Sequence, residues 1–444
     1  MRVAAPSLQT ILRRIRTPVF PRRTYDIARY GATADRTTNC GPSIAQAIAE
    51  CHAAGGGHVL VPPGGYLIRG PIRLRSNVDF HLSEGATIRF GTDPADYLPP
   101  VLVRWEGTFC YNYCPLIFAD REQNIALTGR GVLDGQARRA WGDWKAKQSR
   151  DQHELREMGR RRTPLARRVF GSGHYLRPSL FEPHRCRNVL VEGITLKGSP
   201  FWTVHPVLCT NVVIRGVHVL PGTTNDDACD PDSCEDVLIE DCRFESADDS
   251  IAIKAGRDQD AWGRPGCSNI VVRRCTAARS RASAFAIGSE MSGGVRNVFV
   301  RDCTVGRVRE YALYVKSNSD RGGRVENLRV RGVHVGSCAS LVSLETEYKG
   351  VRGHPYPARY RDFLFEEITC RRTAGAAILS NGSNLRPIER LVLRDIAVER
   401  ASTPVRIRQT QLLRVENVIV NGWPLPPSAA VSRPSRRLRL DAGR

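Results

Sequence analysis

Asp227 stands on one side, and the adjacent pair Asp248 and Asp249 on the other, of a short apolar run, Asp236-Val-Leu-Ile-Glu-Asp-Cys, within the stretch Thr223–Gly256. Two acidic positions about one structural repeat apart are what a two-carboxylate hydrolase needs. One group must protonate a leaving oxygen while another activates water. Taken singly, aspartates in such loops more often cap turns and bind solvent, so the framework that positions them decides between the two readings.

That framework is repetitive. A unit of the form Asn-(Val/Ile)-x-apolar recurs at Asn77, Asn124, Asn188, Asn211, Asp236, Asn269, Asn297 and Asn327, with weaker copies at Asp362, Arg390 and Asn417. From Asn188 onward neighbouring copies lie 23 to 35 residues apart. A drifting period of that size with short β-rich segments marks a solenoid. Each copy is followed by a second short strand, such as Ile194-Thr-Leu, Val217-His-Val or Val333-His-Val. The expected fold is all-β: a single-stranded, right-handed parallel β-helix with an aliphatic column inside and an asparagine ladder at the turns. Asn39–His52 has a helical period with Pro42 near its first turn, which predicts an N-terminal cap helix. Stacked strands are ~4.8 Å apart, so equivalent places on successive coils form a stripe. Asp227, then Asp248 and Asp249, then Ser283–Glu290, then Tyr314–Lys316 follow four consecutive copies. Solvated turns do not need acid on two coils and a lysine two coils later; a groove for a carboxylated sugar does.

The chain has 444 residues and a formal charge of +21. The boundaries read as a basic N-terminal tail (1–23), a solenoid (24–425) with an insertion at about 138–175, and a basic C-terminal tail (426–444). The tails carry +6 and +4 of the excess. The remainder fits a polyanionic partner as well as it fits arginine on solvated faces. The insertion, with Trp141, Trp144 and Arg160-Arg161-Arg162, either lines a groove or is a surface loop. No apolar run is long enough to cross a membrane. The first residues lack an apolar segment of secretory length, so no signal peptide is readable. Cys186, Cys209, Cys234 and Cys267 recur at one register and Cys242, Cys275 and Cys303 at another, which reads as stacked buried thiols. Cys110/Cys114 and Cys229/Cys234 are the pairs expected as exceptions.

On these motifs the chain resembles the polygalacturonases, glycoside hydrolase family 28, and within it the bacterial exo-acting members. The family's Asn-Thr-Asp reads here Asn225-Asp226-Asp227, its Gly-Asp-Asp reads Ala247-Asp248-Asp249, and its Arg-Ile-Lys reads Tyr314-Val315-Lys316. Leu133-Asp134-Gly135-Gln136, Ser199-Pro200-Phe201-Trp202 and Gly288-Ser289-Glu290-Met291-Ser292-Gly293-Gly294 match as well. The likeness covers roughly residues 24–420 and implies a pectin-lyase-like solenoid. It also implies hydrolysis of α-1,4-galacturonosyl bonds with inversion, with Asp248 as acid, its pKa raised by Asp227 and Asp249. Those two would activate water across a carboxyl separation of about 6.5–9.5 Å. Asn225 would orient Asp227, Lys316 would pair with the sugar carboxylate, and Tyr348 would be a stacking platform. Glu290 and Tyr314 would belong to the substrate site, with Arg321 or Arg281 replacing the charge lost at Tyr314. His205 is expected to be structural. No metal and no cofactor are called for. The expected partner is an acidic polysaccharide such as pectin or galacturonan, with no nucleic acid and no membrane, and the chain a monomer. Such proteins are usually secreted or periplasmic.

The family's Gly-His-Gly is absent: its histidine falls at Ala282. This leaves open a rhamnogalacturonan-type hydrolase or a β-helix that binds acidic polysaccharide without turnover. A pectate lyase, which shares the solenoid, would need calcium and an arginine base.

Overall fold

A computed structural model describes residues 5–349 and 352–426. The strands stack in parallel, coil on coil, and one register runs through Val212, Val237, Ile270, Val298, Leu328, Phe363, Leu391 and Leu413. All eight are buried. No polar atom interrupts this column, so burial of apolar surface holds each coil on the next. The crossovers are right-handed, as strand twist requires of parallel connections.

The asparagine repeat has a double cause. Asn77, Asn124, Asn188, Asn211, Asn269, Asn297 and Asn327 all have positive φ, between 52° and 65°, a turn conformation Asn tolerates better than most residues. Their amides also stack. Asn124 donates to Asn77 at 2.9 Å, Asn188 to Asn124 at 2.7 Å, and Asn211 to Asn188 at 2.8 Å. The ladder resumes from Asn269 to Asp236 (2.9 Å), Asn297 to Asn269 (2.9 Å) and Asn327 to Asn297 (2.8 Å).

It breaks at Asp236, whose carboxylate has no N–H to offer Asn211. The segment read as a basic N-terminal tail fills the break. Arg16 N–H donates to Asn211 Oδ1 at 2.9 Å, and Arg14 Nη2 meets Asp236 Oδ1 at 3.0 Å. Helix α1 (Leu8–Arg14), capped by Ser7, lays Ile11 and Ile15 on Ala126, Leu190, Val213, Leu238 and Val271. The N-terminal segment is therefore docked on the outer face of the solenoid. Helix α2 (Gly41–Ala53) buries Ile44, Ala47, Ile48 and Cys51 against the first coils. The C-terminal tail lies outside the described residues from 427 on.

The insertion contains α3 (Ala137–Ala140), α4 (Trp144–Lys147) and α5 (Ser149–Arg160). Trp141 and Trp144 anchor it by edge contacts to Tyr97 and Tyr113 at 5.5 and 5.2 Å. A later single turn, α6 (Asp258–Ala261), packs on α5.

All fourteen cysteines are buried free thiols, so neither Cys110/Cys114 nor Cys229/Cys234 forms the expected disulfide. Cys234 turns its Sγ to Pro206 O, 3.1 Å away on the preceding coil, and burial pushes the Cys114 thiol up to about 12.

Removing the fully buried Ile11 side chain should weaken α1 docking by about 2–4 kcal/mol. Ile11→Ala is expected to speed amide exchange across residues 10–16 at least tenfold while the coil interior keeps its protection. Equal protection in the variant would show that the apolar face does not hold the helix.

Candidate active site

Backbone hydrogen bonds between coils build the acidic stripe. Thr203 N–H donates to Asp227 O at 2.8 Å, Ala228 N–H to Asp249 O at 3.1 Å, and Ser250 N–H to Ser283 O at 2.8 Å. Each bond ties one coil's turn to the next, so Asp227 and Asp249 sit one rung apart and Asp248 beside them. Asp226 is the staple of this turn region. Its carboxylate accepts from Gly222 N–H at 2.6 Å and Ala247 N–H at 2.7 Å, and burial pushes its pKa up to about 6.

One oxygen from each of Asp227, Asp248 and Asp249 lies within 4.8 Å of the other two. This is shorter than the 6.5–9.5 Å expected for an inverting pair. The reason is architectural: the carboxylates come from one turn and from the turn a single rung away, so the ~4.8 Å strand repeat limits their spacing. By spacing alone such a pair reads as retaining.

The three acids are not alike. Asp249 is buried, yet Lys316 Nζ lies 2.8 Å from its Oδ2 and Ser283 N–H donates to its Oδ1 at 2.8 Å. Burial raises its pKa, but Lys316 and Lys254 overcome this and hold it below the usual aspartate range. Asp248 is only half-buried, between its own Asp249 N–H (3.0 Å) and the Asn225 amide (3.1 Å). Burial first, and the charge of Asp249 second, raise its pKa. Asp227 shares Lys254, 3.4 Å away, with Asp230 at 3.9 Å and Glu290 at 3.6 Å. Burial and Asp230 push the Asp227 pKa up against Lys254. Asp230 is fully buried with no hydrogen-bond donor for either oxygen, and burial pushes its pKa up as well, against Lys254. Asp227 faces the Lys254 ammonium.

Several contacts differ from those expected. Asn225 orients Asp248 rather than Asp227, and its own Oδ1 takes Lys145 (2.9 Å) and Arg177 (3.0 Å). Lys316 lines the cleft and gives one of its three N–H groups to Asp249. The Tyr314 ring is buried against Tyr311 at 4.0 Å and lies 5.2 Å from Lys316 Nζ, away from the cleft lining. Arg321 lines the cleft, but Asp258 takes its Nη1 at 2.7 Å. Glu290 also lines it, bound by Arg257 at 2.8 Å and held below the usual range by Lys254 and Arg257 against its burial. Tyr348 stands half-buried in the wall, 5.6 Å from Lys316 Nζ. His205 is buried between Glu182 (3.2 Å) and Asp232 (3.7 Å). Burial opposes its protonation, but the two acids push its pKa up to about 9.

The cleft around these groups has a volume of about 690 Å³. The insertion supplies one wall: Gln152 and Arg156 reach Glu106 at 2.7 and 2.6 Å. Arg352 on the opposite wall ion-pairs with Glu157 of α5. Ala282 leaves the place of a family histidine open. Beside it Arg281 and, one coil on, Arg309 line the cleft without a carboxylate partner among the described residues. Sequence reasoning missed Lys145, Lys254 and Arg309. Lys254 had a signal, as the polar end of the alternating Ile251-Ala252-Ile253-Lys254; Lys145 had none. The aspartate trio has the spacing to approach a cation, but two ammonium groups already occupy its flanks, and they oppose a divalent ion.

Residues 171–417 match the family described as glycosyl hydrolases family 28. The chain belongs to that family. It is 30% identical over 360 residues to a probable polygalacturonase of Vitis vinifera, covering 77% of this chain and 68% of that one. The structure superposes on an exopolygalacturonase of Thermotoga maritima with a TM-score of 0.87 at 38% identity, over 94% of this chain and 96% of that one. It shares its fold alone with a mannuronan C-5 epimerase module of Azotobacter vinelandii (TM-score 0.52, 16% identity, 88% and 99% covered). The chain is thus a polygalacturonase-like glycoside hydrolase.

Lys254 neutralises a buried acidic cluster, and removing one partner of such a set strands charge in the interior. Lys254→Met should cost about 3–5 kcal/mol of stability, read as a lowered denaturation midpoint. A loss below about 1 kcal/mol would mean that the cluster is neutral already.

Proposed function

We propose that the chain hydrolyses α-1,4-galacturonosyl bonds of pectic polymer or oligogalacturonate from the chain end, with inversion. The observation that carries this is the split between adjacent acids. Asp248, with its raised pKa, keeps a proton to give to the glycosidic oxygen, while Asp249, paired with Lys316, stays ionised to take one from water. As the water oxygen bonds to the anomeric carbon, the bond to the leaving oxygen breaks. The Asp248 proton goes to the leaving sugar and the water proton to Asp249. Asp227, facing Lys254, shares the orientation of that water. The short carboxylate spacing favours a second reading, in which Asp249 attacks directly and configuration is retained. Three carboxylates rather than two, and the family resemblance, support inversion.

Recognition of the substrate falls in this reading to Arg281 and Arg309, beside the N–H groups of Lys316 that Asp249 leaves free. Two adjacent-coil guanidiniums without protein partners suit carboxylates on neighbouring sugars, which favours homogalacturonan over rhamnogalacturonan. Action from the chain end is supported by the Arg352–Glu157 bridge between the cleft walls and by the likeness to an exopolygalacturonase.

Incubation with oligogalacturonate should release reducing ends with no unsaturated product absorbing in the ultraviolet, and chelator should leave the rate unchanged. Asp248→Asn should abolish turnover and keep binding; retained activity would remove Asp248 as the acid. Proton NMR of the first-formed product should show the β-anomer, whereas the α-anomer would assign Asp249 as nucleophile. Release of long internal fragments would rule out end action.

The acid limb of kcat/KM follows Asp249 and the alkaline limb Asp248. Activity is therefore lost as pH falls through the depressed pKa of Asp249 and as it rises through the raised pKa of Asp248. In Lys316→Met the Asp249 pKa rises, and the acid limb should move up by about one to three units, while Lys316→Arg should restore it. An unmoved limb would take Lys316 out of this role.

A further inference from the structure

Helix α6 is a partition. On one side Asp258 holds Arg321 in the cleft wall. On the other, Asp260 holds Arg168 at 2.8 Å in the wall of a second cavity of about 380 Å³. That second cavity presents Arg162, Arg168, Arg185 and Arg264 against a single carboxylate, Asp260. Arg168 is buried and spent on Asp260, Thr163 O and Phe109 O. Arg162 gives only its Nε to a carbonyl, Gln259 O, at 3.1 Å. Arg185 is exposed and makes no side-chain ion pair or hydrogen bond among the described residues. Gln259 also carries a buried Oε1 with no hydrogen-bond partner, an acceptor that a hydroxyl would satisfy.

Trp262 is shared by this cavity and a neighbouring hollow of about 370 Å³, where Tyr356 and Arg386 stand. The Trp262 indole N–H is fixed to Arg321 O at 2.8 Å, and its ring meets Tyr356 edge-on at 4.8 Å. Tyr356 is 41% exposed. Guanidiniums on either side of a pair of aromatic rings suit sugar rings that carry carboxylates: the rings give stacking area and the guanidiniums bidentate contacts.

We infer that this track, running behind the catalytic cleft from Arg185 past Trp262 to Arg386, is a second binding site for a carboxylated polysaccharide. It would hold a stretch of the polymer whose end enters the cleft. The inference rests on the proposed galacturonan substrate, and its test separates the two.

The double variant Arg185→Asn/Arg264→Gln removes, outside the catalytic machinery, one unpaired guanidinium and one that Asp260 holds only at 3.6 Å and through its carbonyl. Asn suits the left-handed backbone at position 185, where φ is 55°. Arg371→Gln/Arg372→Gln loses the same charge from exposed positions elsewhere and serves as control. Initial rates are measured on trigalacturonate and on polygalacturonate, with retardation in native gels containing polygalacturonate. The double variant should keep trimer kinetics within about twofold, raise KM on polymer fivefold or more and lose retardation, while the control does neither.

Unchanged polymer kinetics and retardation overturn the inference, as does an equal loss on trimer and polymer or an equal loss in the control. A change of oligomeric state in the double variant on size exclusion assigns the track to contact between copies and also overturns it. If the wild-type chain hydrolyses neither substrate, the functional proposal falls, and the retardation arm still decides this one.

Discussion

Coil stacks on coil at the step that interstrand hydrogen bonding imposes, ~4.8 Å, and the chemistry inherits that step. The buried column through Val212, Val237 and Ile270 sets the register, because a one-residue slip would turn every inward side chain outward. With the register set, the turns have no freedom to place Asp227 far from Asp249. The close-set acids of the cleft are a consequence of stacking. Any discrimination between them has to come from their surroundings.

Those surroundings are two buried ammonium groups. Lys316 lies against Asp249 and Lys254 among Asp227, Asp230 and Glu290. In a site of low dielectric, unpaired carboxylates would simply take up protons. Two cations among the acids keep some ionised and leave Asp248 to be raised by burial and then by its neighbour. The same arrangement ties Lys316 to a protein carboxylate as well as to the cleft, and sets the buried Tyr314 ring 5.2 Å from its ammonium. Exposed arginines one coil apart, Arg281 and Arg309, line the cleft beside Ala282.

Elements outside the repeat do the closing. The insertion is held by Trp141 and Trp144 and brings α5 to the cleft as a wall. Helix α1 covers a stripe of outward aliphatics and completes the amide ladder where Asp236 interrupts it. Both use aromatic or aliphatic anchors to seat a polar segment, so that the charged residues of each face the solvent, the cleft or a ladder partner.

Much of this was legible in the chain. The recurring Asn-(Val/Ile) unit specifies the solenoid, because left-handed turns, amide stacking and an aliphatic column all depend on local residue type. The placement of Asp227, Asp248 and Asp249 on neighbouring coils followed from the same count. The thiols at Cys229 and Cys234, the hold of Asn225 on Asp248 and the pairing of Lys316 with Asp249 did not follow. Side-chain direction across coils and the sharing of charge in a buried site depend on distances between residues up to 67 positions apart. Composition and periodicity carry no record of those distances. The sequence alone therefore determined which residues meet, since the repeat does so; only the tertiary structure decided which of them pair, since pairing is a matter of ångströms and burial.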